Sequence, residues 1–250
     1  MITVDSINKK FEGQEVLKDI SATFDNGKAN LIIGQSGAGK TVLLKCIVGL
    51  FVPDSGRIMY DGRDITTFST KEMLLLRREI GMLFQNAALF DSMSVLENVM
   101  FPLDMFSSMT YNERVKRART CLERVNLLDA QSKHPDELSG GMQKRAAIAR
   151  AIAMKPKYLF CDEPNSGLDP QTSLIIDELI HGITEEYDIT TIVNTHDMNS
   201  VMNIGDHILF LSGGQVMWEG NKNKILNTDN KRLNEFLFSS EILKQVRKGI

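Results

Sequence analysis

Gly34-Gln35-Ser36-Gly37-Ala38-Gly39-Lys40-Thr41 fits the pattern G-x-x-x-x-G-K-[ST], and its flanks give that pattern a context. Ahead of it, Ala29-Asn30-Leu31-Ile32-Ile33 is a short apolar run of strand length; behind it, Lys40 to Leu50 has helical texture. Strand, glycine loop and helix in that order predict a loop whose main-chain N–H groups close around phosphate oxygens. Lys40 would reach the outer phosphates and the Thr41 hydroxyl would ligate Mg²⁺, with Val42 next in the helix. A plain glycine-rich turn is the alternative, and the strand-to-helix context weighs against it.

Downstream, Tyr158-Leu159-Phe160-Cys161-Asp162-Glu163 places two carboxylates at the end of an apolar run. Ligands of open parallel sheets bind at the carboxyl ends of strands. There Asp162 suits Mg²⁺ coordination through water, and Glu163 suits orienting or deprotonating an attacking water in phosphoryl transfer. Two carboxylates alone equally fit a solvated strand end. Thr190-Thr191-Ile192-Val193 reads as a second buried strand. A helix from about Pro170 to Glu186 lies between the two, with Asp169 as its cap and Pro170 in its first turn.

Leu138-Ser139-Gly140-Gly141-Met142-Gln143-Lys144-Arg145 discriminates among phosphate-loop proteins. As bare chemistry, Ser-Gly-Gly is a helix-capping turn. Together with the two preceding motifs and their order, it resembles the signature of the ABC ATPase family. The resemblance covers residues 1 to 220. It implies an α/β fold: a P-loop NTPase (RecA-like) nucleotide-binding domain with an N-terminal antiparallel β subdomain and an α-helical subdomain inserted at about 86–150. Residues 221–250 would be a C-terminal helical extension.

The same resemblance assigns roles. Ser139, Gly140, Gly141 and Gln143 would bind the γ phosphate of ATP held by an opposite subunit, so two copies are implied. Gln85 resembles the glutamine that senses the γ phosphate and Mg²⁺. Ser166-Gly167-Leu168-Asp169 resembles the loop that crosses the dimer interface. His196 resembles the switch histidine at the γ phosphate, although a lone histidine after a strand is ordinarily structural; His134, His181 and His207 are read as structural. Phe11 would stack on adenine with Val16 nearby, the alternative being an ordinary core phenylalanine. The expected ligands are ATP and Mg²⁺, the metal lying on Thr41, Gln85 and Asp162. Asn165, where the family often has threonine, and Phe11, where it has tyrosine, depart from the family pattern.

The run Asn86-Ala87-Ala88-Leu89-Phe90-Asp91-Ser92 continues to Pro102-Leu103, and with the Gly-Met-Gln-Lys-Arg form of the signature it resembles the ATPases of MCE (Mla-type) phospholipid transporters. In that family the region faces the permease. The resemblance implies integral-membrane permease partners, a lipid-binding MCE protein, a small regulatory protein, and a place on the cytoplasmic face of the inner membrane maintaining outer-membrane lipid asymmetry. An importer ATPase for amino acids or another small solute would share every catalytic residue. An ABC protein acting on ribosomes or DNA would carry paired cassettes or long coiled coils, and neither occurs here. A simple phosphotransferase would have no use for the signature.

Composition agrees with this reading. The chain has 250 residues, 42% hydrophobic and 24% charged, enough to bury a sizeable core in one domain. A formal charge of -3 supplies no global attraction to nucleic acid. Cys46, Cys121 and Cys161, odd in number and widely spaced, predict reduced, buried thiols. The N-terminus lacks secretory-signal features, and a notable uncharged stretch, 80–90, is far below the roughly 18 apolar residues of a spanning helix. Short strands at Ile2-Val4, Val16-Leu17, Ser21–Phe24 and Arg57–Tyr60 predict a small antiparallel sheet. Thr110 to Glu113 has capping-box form, and a hairpin is expected around Ser212–Gln215.

Overall fold

The computed structural model describes residues 1–238. In chain order its elements are β1 (Ile2–Phe11), β2 (Gln14–Phe24), β3 (Ala29–Ile33), α1 (Lys40–Ile47), β4 (Ser55–Tyr60), β5 (Arg63–Asp64), α2 (Thr70–Arg77) and β6 (Ile80–Leu83). They continue with α3 (Val95–Phe106), α4 (Tyr111–Arg124), α5 (Gly140–Ile152), β7 (Tyr158–Asp162), α6 (Pro170–Tyr187), β8 (Thr190–Thr195), α7 (Met198–Ile204), β9 (His207–Ser212), β10 (Gln215–Gly220) and α8 (Lys231–Leu237). Two compact units result. Met1–Asp25, Asn30–Thr67 and the chain from Asn194 make the first; Asn26–Ala29 and Phe68–Val193 make the second.

In the first unit, β1 pairs antiparallel with β2 on one side and β4 on the other, and β5 extends the sheet. Ile2, Val4 and Ile7 of β1 face Leu17, Ile20, Ala22 and Phe24 of β2 in the core. These strands are longer than the sequence predicts. Ser6 and Asp19 adopt φ of 50° and 51°, and the register shifts between Val4 and Ile7. A bulge breaks the period-two pattern that marks a strand, so a continuous hairpin reads as fragments. Asn8 bridges the irregular stretch, accepting from Asp19 N at 2.9 Å and donating to Ser55 Oγ at 3.0 Å.

A second set of strands in this unit runs β10-β9-β3, with β9 parallel to β3 and β10 returning antiparallel across Gly213-Gly214. Every residue of β3 is buried, and Leu31, Ile32 and Ile33 each contribute about 1.5–3 kcal/mol by leaving water. That burial anchors the chain where the glycine loop begins. Helix α1 ends three residues before the expected Leu50. Gly49, at φ 73°, donates to Cys46 O while Leu50 N donates to Lys45 O, the two bonds of a Schellman stop.

In the second unit β6 pairs parallel with β7, and β8 lies on the other side of β7. Helices α3, α4 and α5 pack on one another. The capping box expected at Thr110 is present: Glu113 Oε2 accepts from Thr110 N at 2.7 Å. Equivalent boxes at Ser69–Glu72 and Ser94–Glu97 start α2 and α3. Helix α6 starts at the expected Pro170 under the Asp169 cap.

Beyond β10, α8 packs on its own unit. Leu233 and Leu237 are fully buried, the Phe236 ring lies 5.4 Å from Phe210, and Asn230 Nδ2 donates to Met217 O. The remainder of the extension, 239–250, lies outside the described residues.

Candidate nucleotide site

The first unit holds the glycine loop. At Gly34 a Cβ would sit 2.3 Å from Leu211 O of β9, and at Gly39, φ 101°, it would sit 2.9 Å from Leu17 Cδ2 and 3.1 Å from Val16 O. No other residue fits either place. Gly39 also gives α1 an N-terminus with no side-chain cap, so its first N–H groups point at whatever lies in the loop. Gln35, Ser36 and Gly37 are exposed while Ala38 is buried. Lys40 is 8% exposed, its ammonium arching over the loop to the Gly34 and Gln35 carbonyls at 2.9 and 3.2 Å. Thr41 is exposed at the start of α1 and Val42 half-buried behind it.

Val16 thus lies against the C-terminal end of the loop through its carbonyl at Gly39. Phe11 is 39% exposed and packs edge-on against Phe51 at 5.4 Å, with the Lys9 ammonium 5.4 Å over its ring. It is not a core phenylalanine. His196 is exposed between β8 and α7, and the chain beside it is tied by Asp197 N to Thr195 Oγ1 at 3.0 Å.

The second unit brings Gln85, Asp162, Glu163 and Ser166 together at the ends of β6 and β7. Gln85 Nε2 donates to Ser166 Oγ at 3.2 Å, leaving its carbonyl oxygen for a ligand. Asp162 and Glu163 are half-buried. Glu163, the first residue after β7, has φ 49°, unusual for a residue with a side chain. Asn165 donates to Asp177 Oδ1 at 2.8 Å inside the protein, so the departure from threonine pins the following loop to α6.

Ser139 caps α5, its hydroxyl accepting from Met142 N at 3.3 Å. The capping turn and the exposed Ser139-Gly140 pair are thus one feature. Gly141 is buried, and a Cβ there would meet Thr172 of α6 at 2.5 Å. Gln143 spends its amide N–H groups on Pro135 O at 2.8 Å, steadying the turn ahead of α5. Asp169 is likewise engaged with its own helix, accepting from Gln171 N, Thr172 N and Thr172 Oγ1, bonds that hold its carboxyl below the usual range.

Reading motifs missed the groups that hold these residues. Lys144, 5% exposed, donates to the Gln85 carbonyl. Arg150 donates to Ala87 O and Ala88 O at 2.8 Å each, and those two residues carry φ of 60° and 50°. Buried Asn98 accepts from Phe90 N and donates to Phe90 O and Met93 O. Beyond them opens an apolar groove of about 270 Å³ lined by Phe84, Phe90, Phe101, Pro102 and Phe106, with Arg77, Arg78 and Arg150.

Among the described residues no group of three His, Cys, Asp or Glu could cage a metal, and no helix is long and apolar enough to cross a membrane. His134, His181 and His207 each have structural partners, at Asp91 O, Glu185 and Asn30 with Glu219. All three cysteines are buried thiols; desolvation pushes Cys46 and Cys121 up to about 11.

An uncapped glycine loop under a buried lysine, paired with a serine-glycine helix start, defines an ATP-binding cassette. The chain matches the family described as ABC transporter over residues 17–166, and it belongs to that family. It is 42% identical over 223 residues to the methionine import ATP-binding protein MetN of Carboxydothermus hydrogenoformans, covering 88% of this chain and 66% of that one. It is 37% identical over 237 residues to the intermembrane phospholipid transport system ATP-binding protein MlaF of Haemophilus influenzae, covering 95% and 90%. The dimeric ATP-binding cassette MJ0796 bound to ADP and Pi matches with TM-score 0.81 at 33% identity, over 89% of this chain and 99% of that one. The chain thus has the ABC ATPase cassette fold, α/β with an antiparallel β subdomain and a helical insert.

Proposed function

We propose that this chain is the ATP-hydrolysing subunit of a phospholipid transporter. The observation that carries hydrolysis is the loop 34–41, with Lys40 arched over it and α1 uncapped behind it. The loop amides and Lys40 hold the β and γ phosphates, and Phe11 and Val16 receive the adenine. Glu163 takes a proton from water as that water attacks the γ phosphorus and ADP leaves. His196 steadies the γ phosphate. The Thr41 hydroxyl, the Gln85 side-chain carbonyl and the Asp162 carboxylate are oxygen donors suited to Mg²⁺ and would hold it. Bound Mg²⁺ would neutralise phosphate charge as it shifts to the leaving oxygen.

Ser139, Gly140 and Gly141 serve the nucleotide of a second copy, so ATP favours a closed homodimer and hydrolysis reopens it. The groove beside Ala88 receives a cytoplasmic helix of a membrane permease: apolar floor, arginine flank and about 270 Å³ suit a short amphipathic segment. The chain then sits peripherally on the cytoplasmic side, where an MCE protein and a small regulatory protein could join the complex. Phospholipid as cargo is supported by residues 86–103 and by the likeness to MlaF. Import of an amino acid is the second reading, favoured by the 42% identity to MetN.

Glu163→Gln should retain ATP binding, lose turnover and accumulate as an ATP-bound dimer; normal turnover would remove Glu163 from its role. Native mass spectrometry of the gently solubilised complex separates the cargo readings. Bound phospholipid on the permease supports the first, and a polar-solute permease overturns it in favour of the second.

A further inference from the structure

Lys144 belongs to the signature helix but has no part in the roles above. It lies in the second turn of α5, 5% exposed, with no ion pair among the described residues. Its ammonium donates instead to two main-chain carbonyls, Gln85 O and, at 3.5 Å, Glu163 O. Gln85 and Glu163 are joined a second way: Gln85 Nε2 donates to Ser166 Oγ at 3.2 Å, and Ser166 N donates to Glu163 O at 3.1 Å. Lys144, Gln85, Ser166 and Glu163 therefore close a ring of hydrogen bonds.

Two features set this apart from ordinary packing. Lys144 is 5% exposed, so its ammonium is held at a desolvation cost that a methionine of similar volume would avoid. Glu163 also occupies the left-handed region at φ 49°, which a non-glycine keeps only where neighbours over-determine it. Its carbonyl is gripped by both Ser166 N and Lys144 Nζ.

We propose that Lys144 is a positioning residue for hydrolysis, using one buried cation to set the backbone of Gln85 against that of Glu163. The proposal rests on the roles given above to those two residues. The signature helix then does two jobs: its start presents Ser139 to a second copy, and its second turn registers the chain's own Gln85 and Glu163.

The test compares Lys144→Met, Lys144→Arg and Lys144→Gln in the full chain co-purified with its membrane subunits, alongside Glu163→Gln. Lys144→Met is expected to lower kcat about tenfold or more with the KM for ATP within about twofold, and Lys144→Arg to recover most of the loss. In a Gln85→Ala background the same change should cost less than about threefold, because the side chain being positioned is gone. A kcat for Lys144→Met within about twofold of the parent, or a loss that appears only in KM or tracks thermal stability, overturns the proposal. If Lys144→Met does not fold, Lys144→Gln is read by the same kcat criterion, with Lys144→Arg still expected to recover most of the loss. Turnover by Glu163→Gln fails the underlying reading. An inactive Glu163→Gln beside an unimpaired Lys144→Met fails the Lys144 proposal alone.

Discussion

The Gln85 side-chain amide donates to the Ser166 hydroxyl at 3.2 Å, joining residues 81 apart in the sequence. The bond commits Nε2 to Ser166 and so restrains the amide whose Oε1 is the proposed Mg²⁺ donor. Ser166→Ala removes the acceptor and frees the amide to rotate. Turnover is expected to fall about threefold to tenfold, on the scale of one lost neutral hydrogen bond of about 1 kcal/mol, with ATP affinity preserved. Phosphate release measured beside equilibrium binding of a fluorescent ATP analogue checks this.

Gly39→Ala places a methyl 2.9 Å from Leu17 Cδ2 and 3.1 Å from Val16 O at a φ of 101°. Strain of about 1–3 kcal/mol is expected. Relief would come by moving the loop away from β2, so ATP binding should fail before the fold does. A variant that binds ATP with parental affinity would contradict this account of the loop.

Arg150→Ala removes both donors from Ala87 O and Ala88 O. Hydrogen bonds from a charged group are worth roughly 1.5–3 kcal/mol each, and leaving two strained residues unheld adds to the loss. A destabilisation of about 2–4 kcal/mol is expected in urea unfolding, within the range for breaking a buried network. On the proposed docking of a permease helix, its binding should weaken as well, because Arg150 also lies 5.8 Å over the Phe90 ring in the groove.

Glu72, Glu97 and Glu113 accept from the backbone and hydroxyl of their cap residues, which holds their carboxyls below the ordinary glutamate range. A depressed folded pKa contributes stability that is present above the unfolded value and lost as pH falls through the folded one. The melting temperature should therefore hold from neutrality to the glutamate range and drop below it. Replacing the three by glutamine should lower the plateau and flatten the acid limb in a melting series against pH.

Cys46 and Cys121, with pKa pushed up to about 11 by burial, are expected to resist a disulfide reagent at pH 8 in the native protein and to react on unfolding. Cys161, fully buried in β7, should behave the same way. Thiol titration with and without denaturant reads this directly.

How much of this was legible beforehand depended on how local each residue's task is. Gly34 to Thr41 could be read because glycine, lysine and threonine do their work within one turn of chain. Asp169 could be read because a helix cap is satisfied two and three residues away. Strands β1 and β2 came out fragmented, since bulges at Ser6 and Asp19 break their alternation. Lys144 and Arg150 were invisible: their acceptors on Gln85, Ala87 and Ala88 lie 59 to 63 residues upstream, and a lysine or arginine in a helix looks like a solvated face. Gln143 showed the opposite, a motif residue whose amide is occupied by a nearby turn.

The grip of Arg150 and Asn98 on residues 87–90 is made almost wholly to main-chain atoms. A clamp of that kind does not care which side chains it carries. Substitutions at the exposed Ala88 and Phe90, or at Phe101 across the groove, would change the surface offered to the proposed permease segment while the path of the chain from Gln85 stays as it is. If that groove is the docking site proposed above, the cassette would be refitted to a new partner by altering one patch of surface, without retuning the engine behind it.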